Sequence, residues 1–365
     1  HAGLGDWVAN SERLPNGIKG LSERIEAMGI KFGLWFEPEM TNKDSDLYRA
    51  HPDWILHTPG RNASHGRYQY VLDFSRKEVV EYIYEMMAKI LSEAKVSYIK
   101  WDMNRSITEC YSVALPADRQ GEVFHRYILG VYDLYERLTS EFPEVLFESC
   151  SSGGGRFDPG MLYYAPQGWT SDDSDAIERL KIQYGTSLCY PISSMGSHVS
   201  VIPNHQVFRK TPLHTRANVA YFGTFGYELD LNSLKEEEIA EVKEQIIFMK
   251  KYRKLFQFGD FYRLKSPFEG NETIWMVVSE DKKTAIVGYY RTLNGVNQAY
   301  SRIKLQGLDP DMLYENILNK TENYGDELMN FGLITTDVTA GEVPGDATPC
   351  TDFESRIYIL KAKEK

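Results

Sequence analysis

YIKWDMN, from Tyr98 to Asn104, lies between two stretches, Lys77–Glu93 and Gly121–Glu141, whose apolar residues recur every three and four positions. A short apolar run ending in Lys, Asp and Asn and flanked by amphipathic helices is one βα unit of a buried parallel sheet. Alternation along the strand puts Lys100 and Asp102 on one side and Ile99 and Trp101 on the other. The same rhythm continues outward in both directions. It predicts strands at Ile30–Phe36, Ser97–Asp102, Val145–Ser149, Gly168–Ser171, Ser194–Ser197 and Ala220–Tyr227. Further helices are expected at Asn16–Met28, Ser174–Tyr184, Gln206–Asn218 and Leu234–Lys254. Ser75 is expected to cap the helix after it, and Asp173 or Ser174 another.

After Phe258 the runs TIWMVVSE, TAIVGYYRT, AYSRIKLQG, MLYENIL and ESRIYILKAK follow one another with turn residues and no helix between them. This is the pattern of an antiparallel β domain of about 100 residues. Two domains are therefore expected, 1–258 and 259–365. Six βα units are legible in the first, whereas a closed (β/α)8 barrel has eight. If the fold is a barrel, the chain begins inside it. The chain opens on His1 rather than Met.

The 365 residues are 42% hydrophobic, 25% charged and 13% aromatic, an ordinary globular composition. A net charge of −11 with no basic run argues against nucleic acid or an anionic membrane surface, both of which need clustered Lys and Arg. Cys110, Cys150, Cys189 and Cys350 form no CxxC pair, which speaks for a reduced, cytoplasmic compartment and against a zinc site. His198, His205 and His214 lack acidic partners at ligand spacing, so no metal is expected.

Polar residues gather at the carboxyl ends of the expected strands, where barrel active sites are built. An Asp beside a fixed ammonium has its charged form favoured, as a carboxylate nucleophile requires; a structural Lys100–Asp102 pair fits the spacing equally well. QGWTSDDSDA holds Asp172, Asp173 and Asp175 at a strand end, open to metal binding, helix capping or general-acid work, and Trp169 would help desolvate one of them. In GLWFEPEM, Trp35 and Glu37 face the same way, and an indole face suits the C–H face of a sugar, although core packing explains Trp35 as well. SCSSGGGRFD places Cys150 before three glycines that let backbone approach a ligand, without the order or the Lys of a phosphate loop. Paired carboxylates in aromatic and glycine-rich surroundings point to glycoside hydrolysis.

The strings LGDW, LPNGIKGLSERIEAMGIKFGLWFEPEM, LYRAHPDWIL, YVLDF, YIKWDMNR, ESCSSGGGRFDPGMLYY, QGWTSDDSDAIERL, MGSHVS, PNHQ and FGYELDL resemble the α-galactosidases of glycoside hydrolase family 36, and LDPDMLYEN with GDELMNFGL extends the likeness into the β domain. The resemblance implies a retaining hydrolase of terminal α-galactosides such as melibiose, raffinose or stachyose, without metal or organic cofactor. It implies Asp102 as nucleophile, Asp172 as acid/base, and Trp35, Arg67, Lys100, Trp101, Met103, Asn104, Cys150 and Gly153 around the sugar. Asp173 and Asp175 keep their structural reading. The family's first barrel strands, with their DDGW motif, are not in this chain, so the resemblance implies a TIM barrel lacking its first two strands, followed by a C-terminal antiparallel β-sandwich, and a part of a longer protein with unpaired sheet edges and poor stability if made alone. Removal of α-N-acetylgalactosamine, galactosyl transfer, an inactive sugar-binding fragment and a metal-dependent DxD-type transferase are the competing readings. Bacterial relatives imply a homo-oligomer, often a tetramer.

Overall fold

The computed structural model describes residues 2–296, 301–335 and 352–363; Cys350 and the start of the AYSRIKLQG run lie outside them. The chain forms two compact units, 1–170 and 171–365.

In the first unit, β1 (Phe32–Phe36), β4 (Val96–Trp101), β5 (Leu146–Ser149) and β6 (Gln167–Gly168) form a parallel sheet in that spatial order, with a small antiparallel ribbon of β2 (Met40–Thr41) and β3 (Tyr70–Val71). Helices α1 (Gly17–Ala27), α2 (Asp46–Ala50), α3 (Lys77–Glu93), α4 (Val123–Glu141) and α5 (Pro159–Tyr164) connect them. One face of the sheet is apolar. Ile99, Trp101 and Phe147 pack with Val80, Ile83 and Met87 of α3 and Val131, Leu134 and Tyr135 of α4 in a single core. Burial of this amphipathic stripe, more than intrinsic propensity, holds the helices in place. Ser75 does not cap α3: the capping position is Arg76, with no side-chain cap, and the Ser75 hydroxyl turns to the Asp73 carboxylate.

The second unit begins with α6 (Ala176–Thr186), the parallel pair β7 (Gly196–Ser200) and β8 (Thr224–Glu228), and helices α7 (Leu213–Ala220) and α8 (Glu236–Phe258). The helix expected from Gln206 starts only at Leu213. The Asn204 carboxamide accepts the amides of Gln206 and Val207, closing a turn in which Phe208 takes a left-handed φ of 57°, and Pro212 then sets the helix start. The strand expected from Ala220 likewise starts at Thr224, because α7 runs to Ala220 and Tyr221 still bonds back to Ala217.

Six antiparallel strands follow, in the order β14 (Glu322–Tyr324), β13 (Leu313–Asn316), β16 (Glu354–Ala362), β11 (Thr284–Arg291), β10 (Glu272–Val278), β9 (Asp260–Lys265). On one face Ile274, Met276 and Val287 share a core with Leu305, Leu308, Leu328 and Leu333, brought by the ribbon β12 (Arg302–Ile303) and β15 (Leu333–Ile334), helix α9 (Gly325–Asn330) and their connections. The other face meets the helices. Trp275 lies 5.5 Å from Phe222, Tyr290 donates to the Asn218 carbonyl at 2.6 Å, and Thr215 and Asn218 of α7 bond Ser355 of β16 at 2.9 Å. A sheet covered on both faces explains why TIWMVV reads as an unbroken apolar run. It also explains why the compact unit crosses residue 258.

Candidate active site

Strand register builds the site of the first unit. Trp35 of β1 stands beside Lys100 of β4, Lys100 beside Glu148 of β5, and Glu148 beside Gln167 of β6. These four side chains form one polar row across the sheet. Period-2 alternation puts Ile99, Trp101 and Phe147 on the opposite, helix-covered face.

Glu148 is buried at 1% exposure. Its Oε2 accepts from Gln167 and from the Tyr98 hydroxyl, and the Lys100 ammonium lies 3.5 Å from Oε1. Burial first, and then the Glu148 charge, pushes the Tyr98 phenol far up, so it acts as a donor. The same ammonium sits 4.7 Å from the ring centroid of Trp169, a cation–π contact. The sequence pattern places Lys100 beside Asp102 and gives no sign of Glu148 as its ion-pair partner. Trp169, expected to help desolvate an acid, carries the Lys100 ammonium on its face.

Asp102 follows β4 immediately and is 6% exposed. Its Oδ2 accepts from Trp35 Nε1 at 3.0 Å and Asn104 Nδ2 at 2.6 Å, and its Oδ1 accepts from the Met103 amide at 2.9 Å. The Cys150 thiol also hydrogen-bonds this carboxylate; burial, and then the Asp102 charge, pushes it up to about 12. Trp35 is 45% exposed. Its side chain is thus tied at one edge to Asp102 and free to contact a ligand.

Two loops complete the cluster. In SSGGGR, Ser152 and Gly153 have φ of 47° and 82°, and a Cβ on Gly154 would stand 2.5 Å from the Thr170 carbonyl, so glycine is demanded by conformation at one position and by close approach at the next. Arg156 closes this turn with a bidentate pair to Glu39, at 3.0 and 2.7 Å. In the other loop Arg67 is exposed at φ 55°, and its charge acts on buried Glu37.

The structure therefore gathers Trp35, Lys100, Asp102, Asn104, Cys150 and Gly153. Trp101, expected at the sugar, is a core residue: it is fully buried, stacks on Tyr135 at 4.0 Å and donates its indole N–H to Glu39 at 2.8 Å. Met103 belongs to the same core, and its amide and its carbonyl, which accepts from Ser151, face the cluster.

In the second unit the three acids separate by role. Asp175 caps α6 by accepting the amides of Ile177 and Glu178 and pairs with Arg209; Asp173 accepts the Asp175 amide at 3.0 Å. Both carboxylates serve the helix start. Asp172 is exposed, and its backbone carbonyl accepts from Gln206 at 3.0 Å.

Residues 1–259 match the melibiase family, and residues 272–360 match the glycosyl hydrolase family 36 C-terminal domain. This chain belongs to glycoside hydrolase family 36. It is 56% identical to α-galactosidase AgaA of Geobacillus stearothermophilus over 99% of its own length and 48% of that protein's, and 48% identical to α-galactosidase Mel36A of Lactobacillus acidophilus with the same coverage. The crystal structure of an AgaA variant in complex with raffinose superposes with a TM-score of 0.94 at 52% identity, covering 100% of this chain and 49% of that one. An α-galactosidase from Lactobacillus brevis gives 0.95 at 50% identity and similar coverage. The chain thus spans about half the length of these relatives. Its fold is the family's, a TIM barrel with a C-terminal β domain, with four parallel strands paired in the first unit and two in the second.

Four polar residues around this cluster are invisible or only half visible in the sequence: Glu39, Glu148, Arg156 and Gln69, whose carboxamide donates to Glu37. Alternation is the signal that could have found Glu148, since it lies on the sheet face opposite Phe147, the face that carries Lys100. No local signal marks Arg156, whose partner Glu39 is 117 positions away.

Proposed function

We propose that the protein is a retaining α-galactosidase acting on terminal α-galactosides of the melibiose, raffinose and stachyose type, with Asp102 as nucleophile and Asp172 as acid/base. The observation that carries this reading is the Asp102 carboxylate, held at the end of β4 by Trp35, Asn104 and the Met103 amide and bordered by Lys100 and Cys150. Hydrogen bonds to both oxygens fix its direction, which is what attack on one carbon from one side requires. Variants of AgaA bind raffinose and, in another crystal structure, stachyose.

In the first step an Asp102 oxygen forms a bond to the anomeric carbon while the bond to the leaving oxygen breaks and Asp172 gives that oxygen a proton. In the second, Asp172 takes a proton from water, the water oxygen bonds the anomeric carbon, and Asp102 departs. Two inversions give retention. Trp35 supplies an apolar face for the ring, and Lys100, Arg67 and Asn104 supply donors for hydroxyls. The Gly153 turn lets main chain close on the sugar. We further assign residues 1–258 to the barrel and 259–365 to the β domain, a cytoplasmic location, and assembly as a homo-oligomer. Among the described residues no helix is long and apolar enough to cross a membrane.

The test is turnover of p-nitrophenyl α-galactoside by the full-length protein. Asp102→Asn is expected to abolish it. Asp172→Ala is expected to keep release of a good leaving group and to form α-galactosyl azide, with configuration retained, when azide is added. Substantial turnover by Asp102→Asn would remove the nucleophile assignment, and absence of azide rescue the acid/base assignment.

A further inference from the structure

Glu37, one strand away from Asp102, is a buried carboxylate that the proposed mechanism does not use. It lies just past β1 at 1% exposure. Its Oε1 accepts the Asn104 backbone amide at 2.7 Å, and its Oε2 accepts from Gln69 Nε2 at 2.6 Å. Asn104 in turn donates its carboxamide to Asp102 at 2.6 Å and accepts from Ser152 at 3.4 Å. Burial raises the Glu37 pKa, the Asn104 amide lowers it, Asp102 raises it and Arg67 lowers it, with a net rise. A side chain present only to fill this space would be apolar, because burial and a second carboxylate both disfavour the charge. What an apolar side chain cannot do is hold a peptide plane. A carboxylate accepting an amide N–H forms one of the stronger hydrogen bonds available.

We propose that Glu37 is a positioning residue for the nucleophile: through the Asn104 amide it fixes the turn after β4, and so the carboxamide that orients Asp102. Gln69, on the segment that also carries Arg67, holds the other Glu37 oxygen and makes the orientation common to both loops. The inference rests on the assignment of Asp102 under the proposed function.

Glu37→Gln and Glu37→Ala separate the contact from the bulk. Glutamine keeps an acceptor for Asn104, and its new amide can meet Gln69 Oε1, which has no hydrogen-bond partner among the described residues. Two readouts are taken on the full-length protein: kcat and KM on p-nitrophenyl α-galactoside, and the 15N indole resonance of Trp35, assigned by its loss in Trp35→Phe. That indole donates to Asp102, so it reports the carboxylate's position without turnover. Glu37→Gln is expected to hold kcat within about threefold, while Glu37→Ala lowers it about 100-fold with KM within about threefold, the size of effect a misplaced reacting group produces. The indole resonance is expected to shift in Glu37→Ala alone. If Glu37→Ala does not fold, Gln69→Leu is read in its place, with an expected loss of about tenfold and a shift in the same direction. A kcat kept within about threefold by the alanine variant (or by Gln69→Leu in its place), an unmoved indole, or equal damage in both Glu37 variants overturns the proposal. A wild-type protein that turns over no aryl α-galactoside overturns the proposed function instead, and the indole then decides the positioning role by itself.

Discussion

Replacing Arg156 by Met tests how the glycine turn is anchored. Glu39 is completely buried, and Arg156 meets it with two hydrogen bonds while Trp101 and Tyr127 supply the remaining donors. Burial disfavours the guanidinium charge, but the pair with Glu39 outweighs it and the net effect raises the Arg156 pKa. Removing the arginine strands a charge in the core, which typically costs about 3–5 kcal/mol; with two neutral donors still in place, about 3 kcal/mol is expected. For a compact unit of this size that is a fall in Tm of roughly 6–12 °C, at about 2–4 °C per kcal/mol. Thermal denaturation at a fixed scan rate reads it. Glu39→Gln combined with Arg156→Met should recover at least about 1.5 kcal/mol relative to the sum of the single changes, since the two side chains are in direct contact. KM for the aryl galactoside should rise in Arg156→Met, because the turn carrying Gly153 loses its tie. A Tm lowered by less than about 2 °C, or strict additivity in the cycle, would refute the idea that this pair is what fixes the turn.

Cys150, held near 12 by burial and Asp102, should resist iodoacetamide at pH 8 while exposed Cys189 reacts; mass spectrometry of the native protein should show at least about a hundredfold difference in rate. Glu109 clasps the loop before Arg67: burial alone would raise its pKa, but the amides of Thr58 and Ser64 and the His57 ring bring it to about 2. Its folded value lies below the unfolded 4.5, so its contribution is present above pH 4.5 and is lost as pH falls from there toward 2. Hydrogen exchange of residues 58–64, corrected for intrinsic rate, should lose protection across that window in the wild type, whereas Glu109→Gln should show low protection and no such window. Gly130→Ala would drive a Cβ into the Phe74 carbonyl where α4 crosses the chain; a fall of roughly 1–3 kcal/mol in stability is expected, and an unchanged Tm would show that the helix can shift.

Periodicity carries most of the fold. α3 occupies the predicted Lys77–Glu93 without change, and all six parallel strands fall within a few residues of expectation. What periodicity cannot see are turns that end or delay an element through a side chain, such as Asn204 ahead of α7. At the site, strand-end position and alternation are enough to mark Trp35, Lys100 and Asp102. They cannot reveal Glu148 as the partner of Lys100, or Glu39 with Arg156, because an ion pair between distant segments leaves no local trace. Alternation does warn against Trp101: it puts that side chain opposite Lys100 and Asp102, and the structure agrees with this rather than with the resemblance.

The strands after residue 258 lean on the helices before it, through Phe222 against Trp275, Asn218 against Tyr290, and Thr215 against Ser355. That shared core bears on portability. A chimera cut at the sequence boundary would transplant a sheet with one greasy face newly wet, whereas a graft that carries α7 and α8 along would keep both faces dry. The unit of exchange in this protein, for an engineer or for recombination, is larger than the β domain its sequence announces.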